Sequence, residues 1–74
     1  MTFQTILFYK YVTINHPENL TDWIRVRAQE LGFKGRVIVA KEGINATLEG
    51  TIEETNRFVE ELRQKSEFRD LKVK

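Results

Sequence analysis

The sequence predicts an α+β sandwich, in which a four-stranded antiparallel sheet carries both of its helices on one side. Three observations lead there. Apolar, aromatic and β-branched residues gather in runs short enough to be strands, near 3–12, 36–41 and 44–49. Two longer stretches, after Pro17 and after Thr51, repeat apolar residues at helical spacing. A last alternating run, Asp70-Leu71-Lys72-Val73-Lys74, closes the order β-α-β-β-α-β.

The first strand is expected from Phe3 to Tyr11 or Val12. Phe3, Thr5, Leu7, Tyr9 and Tyr11 share one face, and Gln4, Ile6, Phe8, Lys10 and Val12 share the other. Both faces are rich in apolar groups, so composition rather than alternation identifies the strand. Pro17 fits the first position of a helix, where its missing N–H costs nothing, and Glu18 suits the positive end of the dipole. Leu20, Ile24, Ala28 and Leu31 form that helix's buried stripe with Trp23 beside them, and Gly32 suits a left-handed C-terminal cap.

The second strand, Arg36–Lys41, and the third, Ile44–Glu49, are separated by only Glu42-Gly43, which predicts a tight hairpin. Ile44, Ala46 and Leu48 point one way; Asn45, Thr47 and Glu49 point the other, giving a polar face. Thr51 and Glu54 have capping-box spacing. Thr55, Phe58, Val59 and Leu62 form the inward stripe of the second helix, and Phe68 in the return loop is placed to plug the edge of the core. Right-handed crossovers turn this order into the ferredoxin-like arrangement, with strand order 4-1-3-2 and strand one in the interior. The far side of the sheet then has no cover of its own, and Tyr9 and Tyr11 become candidates for a docking face or for simple shielding of the sheet.

Seventy-four residues make one domain at most. Twelve basic against eleven acidic residues leave a net charge of +1, which gives no general drive toward nucleic acid. With no cysteine, the chain holds no disulfide, no thiolate nucleophile and no thiolate metal site, and a cytoplasmic protein is the simplest reading. No apolar run approaches the ~18 residues of a membrane span. No metal site and no cofactor are expected.

The candidate chemistry is sparse. His16, the sole histidine, has no serine or carboxylate partner identifiable from sequence and reads as a loop or capping residue rather than a catalytic base. Lys34, Arg36 and Lys41 cluster around the second strand and are candidate phosphate contacts, with Lys10, Arg69, Lys72 and Lys74 as candidate extensions; plain solubilising charge is the alternative. Glu42, Gly43 and Asn45 make the hairpin a candidate functional element, set against an asparagine that merely satisfies backbone groups. Tyr9, Tyr11 and Trp23 have rings suited to stacking on bases, although Trp23 lies beside a buried stripe. The topology also invites comparison with small acylphosphatases, but where those place a glycine-rich loop and an arginine this chain has Thr13-Ile14-Asn15-His16, so phosphoesterase activity is the weakest reading.

The runs Tyr9-Lys10-Tyr11-Val12, Pro17-Glu18, Gly35 to Gly50 through Glu42-Gly43-Ile44-Asn45, and Phe68 to Lys74 resemble the amino-terminal part of the rhodanese-related tRNA uridine hydroxylases. The resemblance covers essentially the whole chain, which departs from the family's pattern at Ala46, where glycine is usual. It implies an acylphosphatase-like domain ahead of a rhodanese domain bearing the active cysteine, in a protein associated with oxygen-dependent hydroxylation of the tRNA wobble uridine. Residues 1–74 would then be a non-catalytic accessory domain. Its partners would be the rhodanese domain of the same polypeptide and tRNA. The alternative is a structural module that associates with itself.

Overall fold

The computed structural model describes residues 2–73. Its elements are β1 (Phe3–Tyr11), α1 (Pro17–Leu31), β2 (Lys34–Ala40), β3 (Gly43–Thr51) and α2 (Ile52–Arg63), followed by a 3-10 turn at Ser66–Phe68. The sheet is antiparallel with order β1-β3-β2. Each helix begins where the sequence places it. Pro17 opens α1, and Gly32 closes it at φ 72°, the left-handed backbone that lacks a steric penalty only without a Cβ. Thr51 caps α2, its Oγ1 accepting the Glu54 N–H at 3.1 Å, and the same hydroxyl lies 3.2 Å from the Glu54 carboxylate.

One core lies between the sheet and both helices. Ile6 and Phe8 of β1 and Ile44, Ala46 and Leu48 of β3 face Leu20 and Ile24 of α1 and Phe58, Val59 and Leu62 of α2. Phe58 is fully buried between two rings: Trp23 stacks on it at 5.7 Å and Phe33 meets it edge-on at 5.5 Å. The helices are also tied at their outer surfaces by Arg27, whose guanidinium donates twice to the Glu61 carboxylate, both at 2.8 Å. Thr55, the one buried polar residue of the core among the described residues, is satisfied: it accepts from Gln4 and donates to the Thr51 carbonyl. Phe68 is fully buried and plugs the core as expected.

The expected fourth strand is not formed among the described residues, so β1 is an edge strand of a three-stranded sheet rather than an interior one. The reason lies in the partners that Leu71, in the middle of the expected strand, already has. The Leu71 N–H donates to the Phe68 carbonyl at 3.1 Å, and the Leu71 carbonyl accepts from Arg63 Nε and Nη2 at 3.0 and 2.7 Å. Both backbone groups of this residue are therefore spent before they can join a ladder. The segment lies beside β1 without pairing to it. Lys10 bonds Asp70, Leu71 is buried, and a cleft of about 310 Å³ bordered by Phe8, Lys10 and Leu71 remains between them. Lys74, the last residue of the expected strand, lies outside the described residues.

Candidate nucleic-acid interface

The register sorts every strand residue onto one of two faces. Opposite the helices, the rows across the sheet read Tyr11–Gly43–Ala40, Tyr9–Asn45–Ile38, Leu7–Thr47–Arg36 and Thr5–Glu49–Lys34, each in the order β1, β3, β2. No helix among the described residues covers this face. Phe3, Leu7, Tyr9, Tyr11 and Ile38 are all exposed on it, Tyr11 to 86%. Tyr9 and Tyr11 meet edge to face at 6.1 Å.

The candidate residues are brought together only in part. Lys34 and Arg36 stand on the open face of β2, and Lys41 sits in the turn at its end. Lys10 does not join them. It alternates with Tyr9 and Tyr11, lies on the helix side of β1, and is tied to Asp70. Arg69 follows the 3-10 turn and Lys72 lines the β1 cleft, with β3 separating that edge from β2. The basic residues thus form two groups, because β3 occupies the middle of the sheet. The Lys10 ammonium holds the Asp70 carboxyl below the usual carboxylate range, first through the hydrogen bond between them. Among the described residues Lys34, Arg36 and Lys41 have no ion-pair partner, as is also true of Arg57, Lys65, Arg69 and Lys72, while Lys10, Arg25, Arg27 and Arg63 are each engaged by a carboxylate.

Asn45 stands on the middle strand of the sheet. β1 takes the other side of β3, so Asn45 sits mid-face between Tyr9 and Ile38. It is exposed and makes no side-chain hydrogen bond among the described residues. Gly43, at φ 155°, is required for a different reason: a Cβ there would collide with the Lys10 carbonyl. The hairpin turn is further stitched to the chain leaving β1, since Val12 N–H donates to the Glu42 carbonyl and Ile14 N–H to the Lys41 carbonyl, both at 2.9 Å. Glu42 therefore contributes its backbone to structure and leaves its side chain exposed.

His16 stands at the start of α1 without a side-chain capping bond and is exposed. Trp23 belongs to the core rather than to the open face: it is half-buried on Phe58, with the Lys65 ammonium 4.5 Å above its ring. Ile38 is the open-face residue that composition alone overlooked. The signal was available in the alternation along the hairpin, which puts Ile38 on the face of Asn45 and Thr47; the turn itself is Lys41-Glu42 rather than the expected Glu42-Gly43, and it sets Ile38 opposite Asn45. Among the described residues no group of three or more His, Cys, Asp or Glu is arranged to hold a metal ion. No helix among them is long and apolar enough to cross a membrane.

The sequence profile of the UPF0176 acylphosphatase-like domain matches residues 3–74. Among curated proteins, the chain is similar to a tRNA uridine(34) hydroxylase of Bacillus licheniformis, 40% identical over 72 residues that cover 97% of this chain and 22% of the relative. It is similar to the protein of the same name from Enterococcus faecalis, 43% identical over 70 residues covering 95% of this chain and 22% of the relative. The Listeria welshimeri protein of that name is 39% identical over 72 residues, 97% of this chain and 23% of the relative. The chain spans less than a quarter of the length of these curated relatives. With a match running from the start of β1 through the segment after α2, the chain belongs to the UPF0176 acylphosphatase-like domain family.

Proposed function

We propose that this domain is a non-catalytic accessory part of a longer cytoplasmic tRNA wobble-uridine hydroxylase, where it helps hold tRNA while a rhodanese domain of the same polypeptide supplies the chemistry. The observation that carries this reading is one of position: Lys34 and Arg36 stand on the uncovered face and Lys41 in the turn beside it, and none of the three is tied to a carboxylate among the described residues. An ammonium or guanidinium already paired has little to offer a phosphate; these three have their full charge available. The names of the similar proteins supply the kind of nucleic acid.

The test is tRNA binding by the full-length protein before and after Lys34, Arg36 and Lys41 are all changed to alanine. Affinity should fall. The slope of log affinity against log salt should flatten by roughly 0.7–0.9 for each phosphate that is no longer neutralised. Unchanged affinity with an unchanged slope rejects the reading.

A structural or self-associating module is the second reading, and one observation favours it: the exposed Phe3, Leu7, Tyr9, Tyr11 and Ile38. Sedimentation of the full-length protein and of its Leu7→Ser variant separates the two, since only a dimer built on this face loses mass with the substitution. A phosphoesterase is disfavoured by the loop after β1. A phosphate cradle needs converging free N–H groups, and those of Val12 and Ile14 are already given to carbonyls of the hairpin turn.

A further inference from the structure

The open face has relief as well as exposure. Its central strand, β3, presents small groups there: Gly43, Asn45 and Thr47. On one side stand the rings of Tyr9 and Tyr11, and on the other Ile38 and Arg36, with Lys34 next along β2. The walls are two strand spacings apart, about 10 Å. The result is a trough along β3 with a largely polar floor, lined at one end by Tyr9 and Tyr11 on the β1 side and at the other end by Arg36 and Lys34 on the β2 side, so that rings and cations are set diagonally across it.

Resting on the accessory-domain reading above, we propose that this trough takes an unpaired RNA strand, with bases against Tyr9 and Tyr11 and phosphates toward Arg36 and Lys34. Charge and shape both favour this occupant. Arg36 and Lys34 have no ion-pair partner among the described residues, and Glu49 is the sole carboxylate on the described rows of the face, opposite Lys34 and two rows from Tyr9. The floor beside Tyr11 is Gly43 and Ala40, which leaves its ring, 86% exposed, clear of neighbours on that side. Bases in a duplex are stacked on each other and hide their faces, so a tyrosine wall is useful only to splayed nucleotides. A sheet face also cannot enter the deep, narrow major groove of A-form RNA. Asn45, mid-floor with no side-chain hydrogen bond among the described residues, offers both a donor and an acceptor to a base edge.

The experiment uses the full-length protein and three RNA probes: a hairpin with a seven-nucleotide unpaired loop, the same stem as a blunt duplex, and a uridine oligomer of the loop's length. Affinities are read by fluorescence anisotropy for the wild type, for Tyr9→Ala/Tyr11→Ala and for Tyr9→Phe/Tyr11→Phe. The loop and the oligomer should bind tighter than the duplex. The alanine pair should weaken binding of both by roughly tenfold or more, as removal of stacking rings does. Its salt slope should not change, and the phenylalanine pair should bind like the wild type. Equal affinity for duplex and loop, or wild-type affinity in the alanine pair, overturns the trough proposal while tRNA holding through the cations survives. If no probe and no tRNA binds, the accessory reading fails as well. If instead the alanine pair alters only the protein's mass in solution, the face belongs to a protein contact and the RNA proposal falls.

Discussion

The two faces of one sheet share a backbone and differ in almost everything else. On the helix side Ile6, Phe8, Ile44, Ala46 and Leu48 are each at most 4% exposed. On the other side Phe3, Leu7, Tyr9, Tyr11 and Ile38, large residues with much apolar surface, range from 43% to 86% exposed. Apolar character therefore does not decide burial in this domain; the presence of helices on one side does. The same kind of residue contributes to stability on one face and is available for contact on the other.

The sharpest way to break that contrast is to cut into the buried side. Phe58→Ala removes the ring held between Trp23 and Phe33 and should cost about 3–5 kcal/mol, as large core truncations do. For a domain whose whole stability is of the order of 5–15 kcal/mol, chemical denaturation should find a midpoint far below that of the wild type. A loss under about 1 kcal/mol would mean that the core is not closed over Phe58.

Gly43→Ala tests the hairpin where both faces meet. The added methyl group meets the Lys10 carbonyl, and the backbone there has φ 155°, so the loss should be at least about 1 kcal/mol. Amide exchange at Val12 and Ile14 should quicken along with it, because their acceptors are the carbonyls of the same turn. Next in size, Thr51→Ala removes the cap of α2 and should cost about 1 kcal/mol, readable as a lower denaturation midpoint with an unchanged slope.

On the open face the same kind of measurement should find almost nothing. Tyr11→Ser should shift stability by no more than about 0.5 kcal/mol, the ordinary range for a surface site. A loss comparable to that of Phe58→Ala would mean that the face is covered in the folded protein.

The smallest expected effect lies at the β1 edge. Lys10 holds the Asp70 carboxyl below its ordinary range, so the folded state favours the ionised form. The stability this adds is complete above the ordinary carboxylate range, and it is lost as pH falls through the lowered folded value. Carbon-detected titration of Asp70 should show that low midpoint, and Lys10→Met should move it upward. An unmoved midpoint would remove Lys10 as the cause.

The helices, the hairpin and the inward stripes were legible in residues 17–64 because each rests on local chemistry. Pro17, Gly32 and the Thr51–Glu54 pair signal helix ends through bonds or backbone angles within a few residues. The alternation of Ile44, Ala46 and Leu48 with Asn45, Thr47 and Glu49 follows from the two-residue repeat of a strand. The candidate site was legible in parts. Tyr9, Tyr11, Lys34 and Arg36 are visible as residue types, but a row joining β1 to β2 through Asn45 depends on strand neighbours far apart in the chain.

By itself the sequence determined the kind and order of the five main elements and the apolar side of α1, β3 and α2, since helical and strand periodicity are properties of neighbouring residues. Only the tertiary structure decided that Lys10 belongs to the β1 edge and not to the basic group of β2. It also decided that the run from Asp70 to Val73 lies beside β1 unpaired. Alternation gives that run the pattern of a strand, but strand pairing needs free backbone groups, and Arg63 and Phe68 had already taken those of Leu71.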